Sequence, residues 1–232
     1  SGGPWFEPRW AHKMPRSFSG RFYYINMNNI KNIIFDLGNV LTDIDYNKTI
    51  EAFEKLGIEN FKSRFSPLKM DDLFENLETG KISDADFYDS IKKISDTPLS
   101  NSQIENAWNA LFLNFRTESL PFLEKMSVSH NLYLLSNTNS IHLTKFKEIF
   151  TRDTGKPSLD SYFIKTYYSN LIGLRKPDTE AYAFVLQDAK LAAQETLFID
   201  DLVTNIEGAK QLGIQTHHLL RGEKVELLNI YQ

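Results

Sequence analysis

Four polar features of this sequence could act together in one reaction. An ionised aspartate such as Asp36 needs no base to be a nucleophile, because its ordinary pKa is about 3.9. A phosphate would repel this carboxylate, and a lysine and a divalent cation remove that obstacle. Lys176 can supply a fixed positive charge, while Asp36 and Asp201 can supply the oxygen ligands that Mg²⁺ prefers. The four features are Asp36, Ser136-Asn137-Thr138, Arg175-Lys176-Pro177-Asp178 and Asp200-Asp201.

These features support one another only if the fold brings them together. Taken singly, each has an ordinary structural interpretation, since strand-end aspartates often form turns and Ser-Asn-Thr often caps a helix. Ser136 and the N–H groups after it also lead into a predicted helix, which is a ready anion site. Together, these residue types predict phosphoryl transfer through an aspartyl phosphate.

Each feature lies at or just after the end of a short apolar run that predicts a buried strand. Near-continuous apolar runs of this length are typical of parallel strands covered on both faces. Helical patterns follow the later runs over 140–150, 178–190 and 205–213. Asp178 can cap the second of these helices, and Gly213 ends the third. The alternation predicts a doubly wound parallel α/β sheet, a Rossmann-like core whose strand ends meet at one edge. The five runs are 32–36, 132–136, 162–169, 196–200 and 214–220.

The segment between the first two strands predicts helices and no strand. Gly57 and Gly80 are typical helix stops, and Ser83 with Asp86 resembles a capping box. An all-helical insert at this point predicts a cap over the strand ends, where open α/β sheets bind ligands. The predicted helices cover 47–57, 69–80, 83–95, 100–115 and 117–127.

The chain therefore divides into a predicted core and a predicted cap. We assign 27–43 and 129–232 to the α/β core and 44–128 to the helical cap. Residues 1–26 are rich in Gly, Pro, Arg and aromatic residues and show neither a helical nor a strand period. We interpret them as an upstream or added leader outside the fold, and the alternative is an ordered arm whose aromatic residues pack on the protein.

Charge and cysteine content exclude several classes of function. The net charge of −4 gives no general attraction to nucleic acid or to an anionic membrane. The absence of cysteine excludes disulfides, thiolate zinc sites and a cysteine nucleophile. It also fits a reducing compartment, and we expect a cytoplasmic protein. No apolar stretch reaches membrane-spanning length, and we expect a monomer or a small homo-oligomer.

The order and spacing of the motifs resemble the haloacid dehalogenase-like superfamily, in its phosphatase branch with a helical cap after the first motif. The resemblance covers 30–220, and a subgroup with the same "DLGNV" motif includes bacterial sugar-phosphate phosphatases. It implies a small phosphorylated substrate enclosed under the cap, with a sugar phosphate favoured. The motifs that carry it are "FDLGNVL", "LLSNT", "GLRKPD" and "FIDDLVTNIEGAKQLG".

The resemblance also implies roles for the residues that would handle the phosphate. Asp36 would be the nucleophile. Ser136 and Asn137 would hold the phosphoryl group, and Lys176 would neutralise both Asp36 and the phosphate.

A magnesium site is implied in the same way. Asp36 and Asp201 would bind Mg²⁺ directly, and the main-chain carbonyl of Gly38 would be a further ligand. Asp200 would act through a water molecule or from behind the ligands, and Asn205 would orient the site.

Gly38 departs from the superfamily, which usually has an aspartate there as general acid and base. The substrate could be one whose leaving group needs little protonation, such as an anomeric sugar 1-phosphate, because general acid help is typically worth about 10²- to 10⁴-fold. Alternatively, Asp43 or Asp45 could replace the missing group. A third interpretation is a site that binds phosphate and barely turns over.

Other functions on the same fold remain as alternatives. A 2-haloacid dehalogenase would use Asp36 without a metal, and the Asp200-Asp201 pair argues against it. A phosphomutase normally needs the second aspartate, which Gly38 replaces. A phospho-ligand-binding module would retain the fold without the chemistry. The turn at 76–81 either reaches the substrate or simply joins two helices.

Overall fold

The computed structural model describes residues 24–26, 29–66 and 69–231, in which helices flank a parallel sheet. The strands of this part are β1 (Tyr24–Asn26), β2 (Asn32–Phe35), β3 (Thr42–Ile44), β4 (Phe65–Ser66), β5 (Lys69–Met70), β6 (Phe112–Phe115), β7 (Asn131–Ser136), β8 (Lys165–Tyr168), β9 (Thr196–Asp200), β10 (Gln215–His218) and β11 (Asn229–Tyr231). The helices are α1 (Tyr46–Lys55), α2 (Phe61–Arg64), α3 (Asp72–Glu78), α4 (Asp84–Lys93), α5 (Asn101–Trp108), α6 (Ser119–Ser127), α7 (Ser140–Thr154), α8 (Ser169–Ile172), α9 (Thr179–Asp188) and α10 (Val203–Lys210).

The central sheet has five parallel strands in the order β10-β9-β2-β7-β8, which confirms the predicted doubly wound core. Both faces of β2 are covered. Ile33 and Phe35 join a cluster with α6 and α7, whereas Ile34 joins a cluster with α9 and α10. Burial on both faces explains why β2 reads as a continuous apolar run. No helix among the described residues is long and apolar enough to span a membrane.

The insert after β2 has its own buried cluster, centred on Trp108. Phe74 stacks on this indole with ring centroids 5.3 Å apart, and Phe65 and Phe87 pack around it. The capping box at Ser83 is present. Aromatic packing of this kind gives the helices of the insert a core of their own.

The insert is not all-helical, contrary to the sequence prediction. The helix predicted over 100–115 ends at Trp108, and β6 pairs antiparallel with β3. This ribbon joins the chain leaving β2 to the chain returning to the core, so each linker satisfies backbone groups of the other. A second short ribbon pairs β4 with β5. The sequence assigns α6 to the cap, because it lies within 44–128. In the structure, however, α6 packs in the buried cluster of the sheet.

The predicted leader falls largely outside the described residues, with one exception. Its residues Tyr24–Asn26 form β1, which pairs in parallel with β11. The described fold therefore begins before residue 27.

Candidate active site

The carboxyl ends of three neighbouring strands carry the predicted catalytic side chains. β2 ends one residue before Asp36, β7 ends at Ser136 and β9 ends at Asp200. The N–H of Asp36 donates to the carbonyl of Ile199 at 2.9 Å, which continues the sheet pairing past β2. Parallel topology thus brings these features to one edge of the sheet.

Lys176 lies between two of the carboxylates. Its Nζ donates to Asp36 Oδ1 at 2.5 Å and to Asp200 Oδ2 at 2.7 Å, and the residue is 1% exposed. Burial lowers the pKa of Lys176, but Asp200 and Asp36 outweigh it and hold the pKa above its ordinary value. The ammonium group therefore stays charged beside the Asp36 carboxylate.

The loop that carries Lys176 is held by two neighbours. Asn137 Nδ2 donates to the Lys176 carbonyl at 2.8 Å, and Asn137 Oδ1 accepts from the Lys176 N–H at 2.9 Å. At Gly208, an added Cβ would lie 2.3 Å from the main-chain oxygen of Pro177, so glycine permits this close approach. The Asn137 carboxamide thus fixes Lys176, and the role at the phosphoryl group that the resemblance implies for Asn137 stays a prediction.

Asp200 is fully buried, and both of its oxygens are engaged. Oδ1 accepts from the Leu202 N–H at 2.8 Å and from Asn205 Nδ2 at 3.0 Å. Oδ2 accepts from Lys176 Nζ and from Asn205 Nδ2. This arrangement suits an indirect role for Asp200, with Asn205 orienting its carboxylate.

The donor set fits a divalent cation. Asp36, Asp200 and Asp201 each offer an oxygen within 4.8 Å of the others, and Asn39 Nδ2 donates to Asp201 Oδ2 at 3.0 Å. Three carboxylates and one ammonium leave two negative charges in excess. Burial raises the pKa of Asp36 to about 7, opposed by Lys176 and reinforced by the other two aspartates. Burial and Asp200 likewise raise the pKa of Asp201. A cation at these oxygens would offset the repulsion.

Ser136 is buried and lines the same cavity as Asp36 and Lys176. Of the N–H groups that follow it, that of Thr138 donates to Ser169 Oγ at 2.8 Å. α7 begins at Ser140, capped by Asn139. Of the groups predicted to bind an anion at this helix, Ser136 and the main chain next to it therefore remain as candidates.

The space beside Gly38 is filled by Ile44. A Cβ added to Gly38 would lie 2.7 Å from Ile44 Cδ1 and 3.8 Å from Asp36 Oδ2. Ile44 belongs to β3, in the first linker to the insert. An apolar side chain thus lies where the side chain of an aspartate at position 38 would begin.

Neither proposed substitute for that aspartate lines the cavity. Asp43 Oδ1 accepts from Arg116 Nε at 2.6 Å, and Asp45 caps α1 by accepting from the Asn47 N–H at 3.0 Å. Both carboxylates therefore have structural partners, Asp43 in the linker ribbon and Asp45 in α1, although Asp45 lines a neighbouring cavity that Asp201 also lines.

Core and insert both contribute to the cavity, which measures about 80 Å³. From the insert, Glu78 Oε2 accepts from Arg175 Nε at 3.1 Å and lies 3.0 Å from Arg175 Nη2. Burial, then Glu78, raises the pKa of Tyr46, which keeps that phenol neutral. The turn at 76–81 thus reaches the cavity through Glu78.

Three supporting contacts were not predicted. Asn39 orients Asp201, Arg175 pairs with Glu78, and His218 Nε2 lies 3.0 Å from the Asp201 carbonyl. The sequence places Arg175 in the same feature as Lys176 and His218 inside the predicted strand 214–220, but neither position predicts these contacts.

Comparisons with known proteins agree with this geometry. The profile of the haloacid dehalogenase-like hydrolases matches residues 30–213. A D-ribitol-5-phosphate phosphatase of Bacteroides thetaiotaomicron is 34% identical over 187 residues, or 81% of this chain and 90% of the relative. A sesquiterpene phosphatase of Aspergillus oryzae is 26% identical, over 82% of this chain and 89% of the relative.

A solved structure from the same Bacteroides species is also similar. It is an alanine variant of a haloacid dehalogenase family enzyme in complex with magnesium and inorganic phosphate, with 37% identity and a TM-score of 0.78. The match covers 84% of this chain and 96% of that one. Its contents agree with the predicted phosphatase branch and magnesium cofactor. From the profile match and the 34% identity, we conclude that this chain belongs to the haloacid dehalogenase-like hydrolase family.

Proposed function

We propose that this enzyme is a magnesium-dependent phosphatase that hydrolyses small sugar or polyol phosphates through an aspartyl phosphate on Asp36. The observation that carries the proposal is the placement of Lys176 Nζ between Asp36 and Asp200, with Asp201 in the same cluster. The phosphatase relative and the structure with magnesium and phosphate support the same reaction class.

Asp36, Asp201 and the main-chain carbonyl of Gly38 would hold Mg²⁺, with Asp200 and Asn205 behind them. The cation would neutralise negative charge on the phosphate and on the aspartates. Hard carboxylate and carbonyl oxygens are suited to this ion.

Asp36 begins the reaction. Its oxygen attacks phosphorus, forming an aspartyl phosphate as the bond from phosphorus to the leaving oxygen breaks. Lys176 and Ser136 hold the phosphoryl oxygens as charge shifts onto them. Water then attacks phosphorus, which releases inorganic phosphate and restores the Asp36 carboxylate.

The leaving oxygen must gain a proton, and Gly38 cannot supply it. Asp43 and Asp45 have partners outside the cavity. A polyol phosphate must then take this proton from water, so we expect it to react more slowly than a phosphate whose leaving group needs little protonation. The rate should fall steeply as the pKa of the leaving alcohol rises, which a series of aryl and alkyl phosphates measures.

The apolar part of the cavity favours a second candidate, a phosphatase for hydrocarbon phosphates. The Aspergillus relative is named for sesquiterpene phosphates. A prenyl phosphate therefore belongs in the same substrate panel. The apolar lining residues are Leu37, Ile44, Phe65, Leu111, Phe112 and Leu202.

The test is hydrolysis of sugar, polyol, aryl and prenyl phosphates with magnesium and with a chelator. We expect turnover that requires magnesium and is lost in Asp36→Asn, while the exposed Asp89→Asn control, outside the cavity, keeps its activity. Dehalogenation that survives chelation, or tight phosphate binding without any turnover, would contradict the proposal.

A further inference from the structure

An ion pair at the cavity wall joins the insert to the core. Glu78 is the last residue of α3, and Arg175 directly precedes Lys176. Their side chains are only 10% and 16% exposed. Arg175 Nε donates to Glu78 Oε2 at 3.1 Å, and Arg175 Nη2 lies 3.0 Å from the same oxygen.

The second oxygen of Glu78 is unmatched. Oε1 accepts no hydrogen bond from the part of the chain that the structure describes. Oε1 is not among the buried side-chain atoms that lack a partner, so it is accessible from the cavity that Glu78 lines. Oε1 is therefore an acceptor in the cavity wall that suits a hydroxyl donor.

Three other polar side chains of the cavity already have partners, whereas the hydroxyl groups of Tyr46 and Ser136 have none among the described residues. Both ring nitrogens of His142 are engaged, by Asn139 Nδ2 and by the Trp108 carbonyl. Thr42 Oγ1 donates to a main-chain carbonyl at 3.0 Å. The Asn137 carboxamide is paired with the backbone of Lys176.

The position of Glu78 is fixed by a close contact two residues later. Gly80 has a φ of +65°, and a Cβ there would lie 2.4 Å from the main-chain oxygen of Asn170. Glycine thus lets the turn after α3 lie against α8 of the core. The turn at 76–81 holds the carboxylate in place instead of merely joining two helices.

We propose that Glu78 determines specificity by accepting a hydrogen bond from a hydroxyl group of the leaving alcohol, so that the enzyme selects hydroxylated phosphates over hydrocarbon phosphates. This inference rests on the proposed phosphatase function. A hydrocarbon chain would cover Oε1 without offering a donor, and such burial is unfavourable. A polyol supplies the donor.

Two substrates with the same five-carbon chain and the same kind of leaving oxygen test the proposal. D-ribitol 5-phosphate carries hydroxyl groups, and 1-pentyl phosphate carries none beyond the phosphate. We expect the wild-type enzyme to prefer the polyol phosphate in kcat/KM. In Glu78→Gln that preference should fall by about 10- to 100-fold, the range for a hydrogen bond to a charged group.

The control is Glu75→Gln, the same change three residues earlier on α3, outside the cavity. It should keep the wild-type preference. A wild-type enzyme that hydrolyses both substrates equally would overturn the role of Glu78 while leaving the phosphatase function intact. Equal losses on both substrates in Glu78→Gln would also overturn it, because they indicate a structural role. Absence of hydrolysis of any phosphate ester, p-nitrophenyl phosphate included, would overturn the proposed function as well.

Discussion

Replacing Gly38 tests whether Ile44 fills the space of the missing acid–base side chain. Gly38 has no positive φ, so alanine adds no backbone strain. The new Cβ would, however, lie 2.7 Å from Ile44 Cδ1 and 3.6 Å from Ile44 Cγ1. Ile44→Val removes the first of these atoms and leaves the second at an ordinary contact distance.

The effect of Gly38→Ala on the free energy of unfolding should therefore differ between the wild-type and Ile44→Val backgrounds. Overpacking costs about 1–3 kcal/mol, and the lower entropy of the unfolded chain returns about 0.4–1 kcal/mol. In the wild-type background, Gly38→Ala should lower the free energy of unfolding by about 1–2 kcal/mol. In the Ile44→Val background only the entropic gain remains, so the same change should be neutral or stabilising. Urea denaturation of the wild type, the two single variants and the double variant measures the coupling energy between residues 38 and 44.

Equal cost of Gly38→Ala in both backgrounds would refute this interpretation of Ile44. An activity measurement follows from the same geometry. With Ile44→Val present, Gly38→Asp has room for its side chain, and we expect hydrolysis of 1-pentyl phosphate to rise by about tenfold or more over Ile44→Val alone. No rise would show that the missing proton donor does not limit the rate.

Further predictions concern charge and pH. Lys176→Met should lower kcat by about 10²- to 10³-fold or more in steady-state assays, because it removes the ammonium beside Asp36; an effect below tenfold would contradict its role. Asp43→Asn and Asp45→Asn should each keep kcat/KM within about threefold, since neither residue lines the cavity, and a larger loss would restore them as acid–base candidates. Burial lowers the pKa of His142 from 6.5 to about 4, so the unfolded chain takes up a proton as the pH falls below 6.5 while the native protein does not. Down to pH 4 this difference should cost up to about 3 kcal/mol of stability. Urea denaturation at pH 7.5 and 4.5 should therefore show a smaller loss in His142→Gln, and equal losses would refute the assignment.

The sequence predicts the convergence at the sheet edge because topology alone requires it. The runs that become β2, β7 and β9 are apolar throughout, and parallel strands place their carboxyl ends together. Asp36, Ser136 and Asp200 follow from that pattern. By contrast, "LFLNF" is apolar enough for a helix or a strand, and only its pairing with β3 decides the outcome.

Contacts between segments that are far apart in the chain could not be predicted from the sequence. Glu78 and Arg175 are far apart in the sequence, and their pairing depends on how the insert packs against the core. The same holds for Ile44 beside Gly38, which a local motif cannot reveal. The resemblance implies a role for Asn137 at the phosphoryl group, but it does not reveal that the Asn137 carboxamide pairs with the backbone of Lys176.

Covalent capture of the intermediate tests the central claim most directly. The enzyme would be mixed with substrate and magnesium, quenched during turnover and treated with borohydride, which reduces an aspartyl phosphate to homoserine. Peptide mass spectrometry should then find homoserine at position 36, and the Asp36→Asn protein should show none. Continued turnover without modification at residue 36, or homoserine at another aspartate, would contradict the assignment of Asp36 as the nucleophile.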